Sequence, residues 1–354
     1  MRICVALTLL LFAASIASAT ELPAPPSASD APNLIAGEPI HGERVRPLPV
    51  LEGHVYALPV LLEGLAGDDA IIRARCSLLL GEIGSDEAIP ALARALDDPD
   101  RTVRMVSGIA LARMGDERGT AAAAAAMQGQ RWWMRFLAVN ALGHLGTERA
   151  IGLIEPALRD PDSLVQDAAA FAILQPGPVE PVGVEYSSPE DESLEDTIFT
   201  LTNYLIGETD WWWHAGDYRQ IIRGQETIIW LDPSWEEGYS LSAYLYWSLG
   251  RNTEAIATYR RGVDVHPESW HLHWEIGFYY FNAQKRFEDA IPHFELAREL
   301  GSPPEKSRMH AHALERSGQS REALEVWREL REQFGEDAVV ELNINRLRTR
   351  LNEG

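Results

Sequence analysis

The sequence predicts an all-α protein, a two-part helical solenoid made of two kinds of α-α repeat. The first observation is a repeat of 31 residues, and the second is a later repeat of about 34 residues. A proline-rich, acidic segment separates the two. A fixed period of this size is typical of stacked helical units, none of which can bury its apolar face alone. The 31-residue repeat is carried by Arg73, Arg104 and Arg135, by Leu80, Leu111 and Leu142, and by Gly84, Gly115 and Gly146.

Each 31-residue unit has the pattern of a helix, a turn and a second helix. Residues 103–114, for example, place apolar or small residues at helical spacing, and a Gly-Asp turn follows. Such a glycine suits a left-handed C-terminal cap, and the Asp or Ser after it can cap the next helix. Asp69 stands four residues before Arg73, and Asp100 four before Arg104. We therefore expect ion pairs within each helix, worth ~0.2–0.5 kcal/mol apiece.

Three stretches of this repeat resemble a known family. They read Asp-Pro-Asp-Arg-Thr-Val-Arg at 98–104, Ala-Leu-Ala-Arg-Met-Gly-Asp at 110–116 and Glu-Ala-Ile-Pro-Ala-Leu at 87–92. Together they look like the HEAT-like repeat of the phycobilisome-lyase type, over about residues 55–175 in roughly four units. The resemblance implies stacked helix pairs. It carries little information about function, because the family serves many tasks.

The third unit departs from its own pattern. Where the other units carry acidic residues it has Arg131, Trp132 and Trp133. Two adjacent tryptophans at the start of a helix cannot both face one core, so we expect one to be packed and the other partly exposed. Arginine and tryptophan are enriched at binding hot spots. These three residues are therefore a candidate second contact surface for a partner.

The later repeat resembles the tetratricopeptide repeat. Pro233 and Pro267 are 34 residues apart, and three alanines are each followed four residues later by an aromatic residue. That family places Leu-Gly, Tyr, Ala, an aromatic residue and Pro at such offsets. Units at 236–267, 270–302 and 304–335 fit the pattern, a degenerate unit at about 202–233 precedes them, and a capping helix at 336–351 follows. The alanine–aromatic pairs are Ala255 and Tyr259, Ala290 and Phe294, and Ala323 and Trp327.

The resemblance also implies where a ligand would bind. In tetratricopeptide repeats the first helix of each unit lines the concave face, through its second, fifth, ninth and twelfth positions. We expect this groove to be aromatic in the middle and charged at one end, with Trp247, Trp274 and Phe278 as partly exposed anchors. The candidate groove residues are Tyr244, Trp247, His271, Trp274, Phe278, Phe281, Arg308 and His312.

The chain divides into five segments. Residues 1–19 have the pattern of a signal peptide, with Arg2, an apolar run and a small-residue cleavage site ending at Ala19. The run is short for a bilayer span, although an uncleaved anchor is the alternative. We expect an exported, periplasmic or secreted protein with no integral membrane segment after cleavage. The other segments are a proline-rich disordered leader (20–50), a first module (51–175), an acidic, proline-rich linker (176–196) and a second module (197–354).

Charge and cysteine content exclude several classes. The net charge is −22, and it becomes −23 when Arg2 is removed with the signal. A chain this acidic does not bind nucleic acid, which requires clustered positive charge. Only Cys76 remains after cleavage, so no internal disulfide forms. Cys76 occupies a slot that holds Ser or Ala in the other units, which predicts a small buried residue and not a nucleophile.

No catalytic, cofactor-binding or metal-binding motif is present. Histidines do cluster between 266 and 312, but His271 and His273 diverge on their helix, as do His310 and His312. We therefore predict no catalytic residue, no cofactor and no metal, and a function as an exported adaptor for a protein partner. A binder of glycans or other envelope polymers through stacked aromatic residues is the alternative. An enzyme of the lyase or metal-dependent type is a third, less favoured class.

Overall fold

The computed structural model describes residues 51, 53–177, 193–335 and 337–351, and these contain 17 α-helices and no strand. The predicted signal peptide, the predicted leader and most of the predicted linker lie outside the described residues. None of the described helices is long and apolar enough to cross a membrane. The first module contains α1 (Leu58–Leu65), α2 (Ala70–Ile83), α3 (Ile89–Ala95), α4 (Arg101–Arg113), α5 (Thr120–Ala126), α6 (Trp132–Leu145), α7 (Glu148–Ile154) and α8 (Ser163–Leu174).

The second module is a series of helix pairs closed by a single helix. A π-helical turn, Tyr279–Ala283, extends the first helix of its third pair. The helices are α9 (Leu194–Ala215), α10 (Tyr218–Leu231), α11 (Glu236–Ser248), α12 (Asn252–Val265), α13 (Trp270–Phe278), α14 (Phe287–Glu299), α15 (Pro304–Arg316), α16 (Ser320–Phe334) and α17 (Ala338–Leu351).

The caps of the first module follow the 31-residue period. The Asp69 carboxylate accepts hydrogen bonds from the backbone N–H groups of Ile71 and Ile72 at the start of α2. The equivalent aspartates cap α4 and α8 in the same way. Gly84 ends α2 with φ 73°, in the left-handed region that only glycine adopts without strain. Arg131 replaces the capping aspartate before α6 and makes no side-chain cap.

The predicted ion pairs within each helix are wrong. Because Asp69 turns its carboxylate to the backbone, Arg73 pairs instead with Asp98 of the next unit, with Nε 2.8 Å from Oδ2. Arg135 pairs likewise with Asp160 at 2.7 Å. Each arginine also donates from Nη1 to two backbone carbonyls just before its own helix. The arginines therefore tie one repeat to the next.

The second module has the predicted core. Each of the three alanines and the aromatic residue four positions later is buried. At Gly277 the helices approach so closely that a Cβ would lie 2.8 Å from the ring of Phe294. The pattern of small and aromatic residues thus sets the distance between α13 and α14.

The apolar core of the first module extends into the first helix pair of the second module. Apolar side chains of α9 and α10 belong to the same buried cluster as the core of the first module. At the start of the first module, on α1, a Cβ on Gly64 would lie 2.6 Å from Cys76 Sγ and 2.7 Å from a methyl carbon of Leu194. The helix that follows the linker therefore packs back onto α1 and α2. The contributing residues of α9 and α10 are Ile198, Leu201, Leu205, Ile206, Ile228 and Leu231.

Candidate partner-binding site

The first helices of successive units, α11, α13 and α15, lie side by side. Ser269, at the start of α13, donates a hydrogen bond to the Glu236 carboxylate of α11 at 2.6 Å. Trp274 of α13 donates its indole N–H to the backbone oxygen of Lys306 on α15 at 3.1 Å. These contacts make the solvent side of the three helices one surface, which we call the first-helix face.

Three aromatic rings on this face are partly exposed, those of Tyr244, Trp247 and Phe278. Tyr244 and Trp247 meet edge to face, with ring centroids 5.1 Å apart. Phe278 continues the row on α13 and is half-buried. Phe281, in the π-helical turn, is wrong as a groove residue for the row, because its ring packs edge to face on Phe287 and Phe294 of α14. Burial raises the pKa of Tyr244, which is therefore a neutral phenol at physiological pH. The row offers a rigid apolar surface with little side-chain entropy to lose on binding.

The prediction that Trp274 has a partly exposed ring is wrong. Its side chain is 7% exposed, stacked on Phe278 with centroids 5.0 Å apart and 14° between the planes. Lys306 covers the ring, with its ammonium nitrogen 3.7 Å from the centroid. The sequence pattern of α13 alone could not show this, because the covering group comes from the next repeat.

His271 lies on the first-helix face between two carboxylates. Its Nδ1 is 3.3 Å from Glu236 Oε1, and its Nε2 is 3.6 Å from Glu275 Oε1. Burial alone would lower the pKa of His271, but hydrogen bonds to the two glutamates and their charges outweigh it and raise the pKa to about 9. Both ring nitrogens are thus engaged with carboxylates. Sequence reasoning missed both glutamates, although Glu275 stands one helical turn after His271.

The predicted charged end of the groove is engaged within the protein. Arg308 Nη2 is 3.0 Å from Asp337 Oδ2, in the segment leading into α17. A cavity of about 150 Å³ lies beside this pair. His312 packs edge to face on Trp327 of α16 at 5.1 Å, and burial lowers its pKa. His312 is therefore wrong as a groove residue, because its ring is held against the second helix of its own unit. The cavity is lined by Pro304, Arg308, Leu330, Phe334, Gly335, Asp337 and Val340.

The tryptophans of the third unit join the two modules. Trp132 donates its indole N–H to Tyr246 Oη of α11 at 2.9 Å. Trp133 is 3% exposed, and its ring lies 5.7 Å from that of Trp230 of α10. Arg131 is exposed. As expected, one tryptophan is packed and the other partly exposed: Trp133 is buried and Trp132 is half-buried. The prediction that they form a contact surface for a partner is wrong, since both rings already contact the second module.

Arginines complete the junction between the modules. Arg251 bonds Asp162 with Nη2 2.7 Å from Oδ2, and its guanidinium lies 4.9 Å from the centroid of Tyr246. Arg219 of α10 pairs with Asp167 of α8 at 3.0 Å. Helix α10 also contacts α2: Arg75 of α2 donates from Nε to the backbone carbonyl of Trp230 of α10 at 2.9 Å. The first helical pair of the second module thus lies along α2, α6 and α8.

His273 and Cys76 are buried, and His293 beside His273 is half-buried. The rings of His273 and His293 stack 6.0 Å apart, and burial lowers the pKa of both. Within the part of the chain that the structure describes, no three His, Cys, Asp or Glu side chains are grouped to hold a metal ion. Cys76 is buried, and burial raises the pKa of its thiol to about 12. The thiolate required of a nucleophile is therefore disfavoured.

Comparison with known families agrees with this architecture. Residues 58–135 and 109–174 match the family of HEAT repeats, and residues 241–303 match a tetratricopeptide repeat family. No curated protein matches the chain. Proteins built from either repeat are typically non-catalytic interaction scaffolds. The predicted order of the repeats is confirmed: the chain is an all-α solenoid of HEAT repeats followed by tetratricopeptide repeats.

Proposed function

We propose that this protein is an exported, non-catalytic adaptor that holds a peptide or helix of a protein partner on its first-helix face. The observation that carries the proposal is the row of partly exposed rings of Tyr244, Trp247 and Phe278 on neighbouring first helices. Rigid aromatic side chains supply contact area at a low entropic cost. Such residues are also common among binding hot spots.

The packing of the HEAT module supports the choice of this face. Its helices α2, α6 and α8 are in contact with α10, and Trp132 and Trp133 are engaged at the junction. A partner that approached this side of the HEAT module would have to displace the protein's own helices. The HEAT module therefore serves as a support for the second module in this proposal.

Export is supported by the sequence of residues 1–19 alone. A positive start, a short apolar run and the site Ala17-Ser18-Ala19 are the parts of a secretory signal. Sequencing the N-terminus of the mature protein should find Thr20 or a close neighbour. Retention of Met1 on protein recovered from the cytoplasm would contradict an adaptor in the cell envelope.

Site-specific photo-crosslinking in envelope extract tests the binding surface. A photoreactive phenylalanine analogue at Phe278 should form a crosslink to a protein, whereas the same analogue at Leu342 should not. Leu342 is a matched control because it is 67% exposed but lies on the closing helix α17. Equal crosslinking at both positions would contradict binding on the first-helix face.

The glycan alternative makes a different prediction for the same experiment. Binding through stacked sugars should be competed by soluble envelope saccharides and should change little with salt. Peptide binding next to charged side chains should weaken as salt screens them. Loss of the Phe278 crosslink with saccharide, but not with salt, would replace the peptide proposal by the glycan one.

A further inference from the structure

Lys306 occupies a binding platform on the first-helix face. Its ammonium nitrogen lies 3.7 Å from the centroid of Trp274, which in turn stacks on Phe278. A cation over an indole face is attracted by the ring quadrupole, and tryptophan binds cations best among the aromatic residues. The backbone of Lys306 also accepts the indole N–H of Trp274, which fixes the ring beneath the ammonium. The two contacts hold a cation-binding face in a fixed orientation.

The surroundings of this platform are acidic. Burial lowers the pKa of Lys306, and the charges of Glu275 and Glu305 act in the opposite direction. Within the described residues these two carboxylates act on the Lys306 ammonium through their charge, without a hydrogen bond to it. Arg308, the next cation on α15, is already paired with Asp337. A cationic group at this place is thus favoured by the ring and by the charge of the two carboxylates, without a hydrogen bond to either.

We propose that the stacked Trp274 and Phe278 form a cation-binding subsite of the groove, in which a lysine or arginine side chain of the bound peptide displaces the ammonium of Lys306. The inference rests on the proposed function and adds the chemistry of the partner: a basic residue next to an apolar one. The basic side chain lies on Trp274, and the apolar neighbour contacts Trp247. Lys306 acts as a built-in competitor that keeps the platform covered until a peptide binds.

The charge of the chain supports a basic partner over an acidic one. The net charge is −22, and Glu237 and Glu305 are exposed on the first-helix face. An acidic peptide would meet these carboxylates as well as Lys306, whereas a basic peptide is attracted by them. Complementary charge of this kind speeds encounter and selects between partners. The cover is also easily moved, because it is a flexible methylene chain and not backbone.

The chain contains only two lysines, Lys285 and Lys306, which makes displacement directly observable. Labelling lysine side chains with carbon-13 at Cε gives one NMR signal from each residue. The Lys306 signal should be shifted upfield by the ring current of Trp274, while that of Lys285, which is exposed, should not. Titration with tetramethylammonium chloride should move the Lys306 signal toward the position of Lys285. Sodium chloride at the same ionic strength should leave it in place.

A set of short peptides then tests affinity. The peptides share one apolar frame and differ only in a central Arg, Gln or Glu, and their binding is measured by fluorescence anisotropy. Wild-type protein should bind the Arg peptide most tightly. Lys306→Met, which keeps the apolar stem but removes the charge, should tighten binding of the Arg peptide about three- to tenfold. Lys285→Met is the matched control and should change nothing.

The outcomes separate this inference from the proposed function. If Lys306→Met weakens binding and the Glu peptide binds best to wild-type protein, Lys306 anchors an acidic ligand and the inference is overturned. If peptides bind without regard to the central residue, the function stands and the subsite does not. If no peptide binds, peptide capture loses its support. A Lys306 signal that stays upfield in tetramethylammonium overturns the subsite independently of any peptide.

Discussion

The hydrogen bond between Trp132 and Tyr246 gives a sharp test of how the modules are joined. Trp132→Phe keeps an aromatic ring at the start of α6 but removes the indole N–H that lies 2.9 Å from Tyr246 Oη. Tyr246 still donates to Glu226 at 3.1 Å, so its hydroxyl is not left without a partner. We therefore expect the loss of one partly buried hydrogen bond together with a small loss of packing.

The expected magnitude follows from those two contributions. The hydrogen bond is worth about 0.5–1.5 kcal/mol. A smaller ring at a half-buried site adds up to about 1 kcal/mol. Urea unfolding of the full chain should thus show a loss of about 0.5–2.5 kcal/mol in the free energy of unfolding. A double-mutant cycle with Tyr246→Phe should give a coupling energy of about 0.5–1.5 kcal/mol.

The same variant distinguishes a junction residue from a residue that contacts a partner. A partner contact would leave the stability of the free protein unchanged and would weaken only binding. Arg131→Ala is the neighbouring control. Because Arg131 is exposed, this variant should lower the free energy of unfolding by less than about 0.5 kcal/mol. Wild-type stability of Trp132→Phe, with no coupling to Tyr246, would refute the role of Trp132 in joining the modules.

Three further predictions concern stability. Asp160→Ala should lower the free energy of unfolding by about 3 kcal/mol, because it leaves the buried guanidinium of Arg135 without its carboxylate partner. The control Asp97→Ala, in an exposed position of an equivalent loop, should change thermal unfolding little. The pKa of His271 is raised from 6.5 to about 9 in the folded protein. Its contribution to folding stability is therefore complete below pH 6.5 and is lost as the pH rises through about 9. His271→Gln should therefore flatten the fall in stability over that range; an unchanged slope would contradict the charged histidine. A fragment that begins at Ser193 should bind a hydrophobic dye, because the apolar side of α9 and α10 loses its cover; a monomeric fragment that binds no dye would contradict the shared core.

Features set within one repeat could be predicted from the sequence. The period, the glycine at the end of α2 and the cap by Asp116 depend on residues a few positions apart, and all appear in the structure. Ser85 is expected in the same role as Asp116 but makes no side-chain cap. Asp69 and Asp100 cap their helices although their spacing predicts ion pairs with arginine. The aromatic and small residues of the second module set the spacing of each helix pair in the same local way. Local patterns were therefore sufficient for the fold class.

Features set between repeats or modules could not be predicted. Arg73 has an aspartate four residues before it, but its partner is Asp98 of the following unit. Trp274 has the spacing of a groove residue, but its exposure depends on Lys306 of the next repeat. The role of Trp132 depends on the angle between the modules, which no single segment encodes. In each case the deciding contact joins residues far apart in the chain.

The central claim, that the first-helix face holds a protein partner, is tested most directly by the affinity of the crosslinked partner for a groove variant. Titration calorimetry would compare wild-type protein, Phe278→Ala and the control Leu342→Ala. Truncating a hot-spot residue to alanine should weaken the binding free energy by ~2 kcal/mol or more, which is about a thirtyfold loss of affinity. We predict that loss for Phe278→Ala and unchanged affinity for Leu342→Ala. Equal affinity of all three proteins would contradict binding on this face.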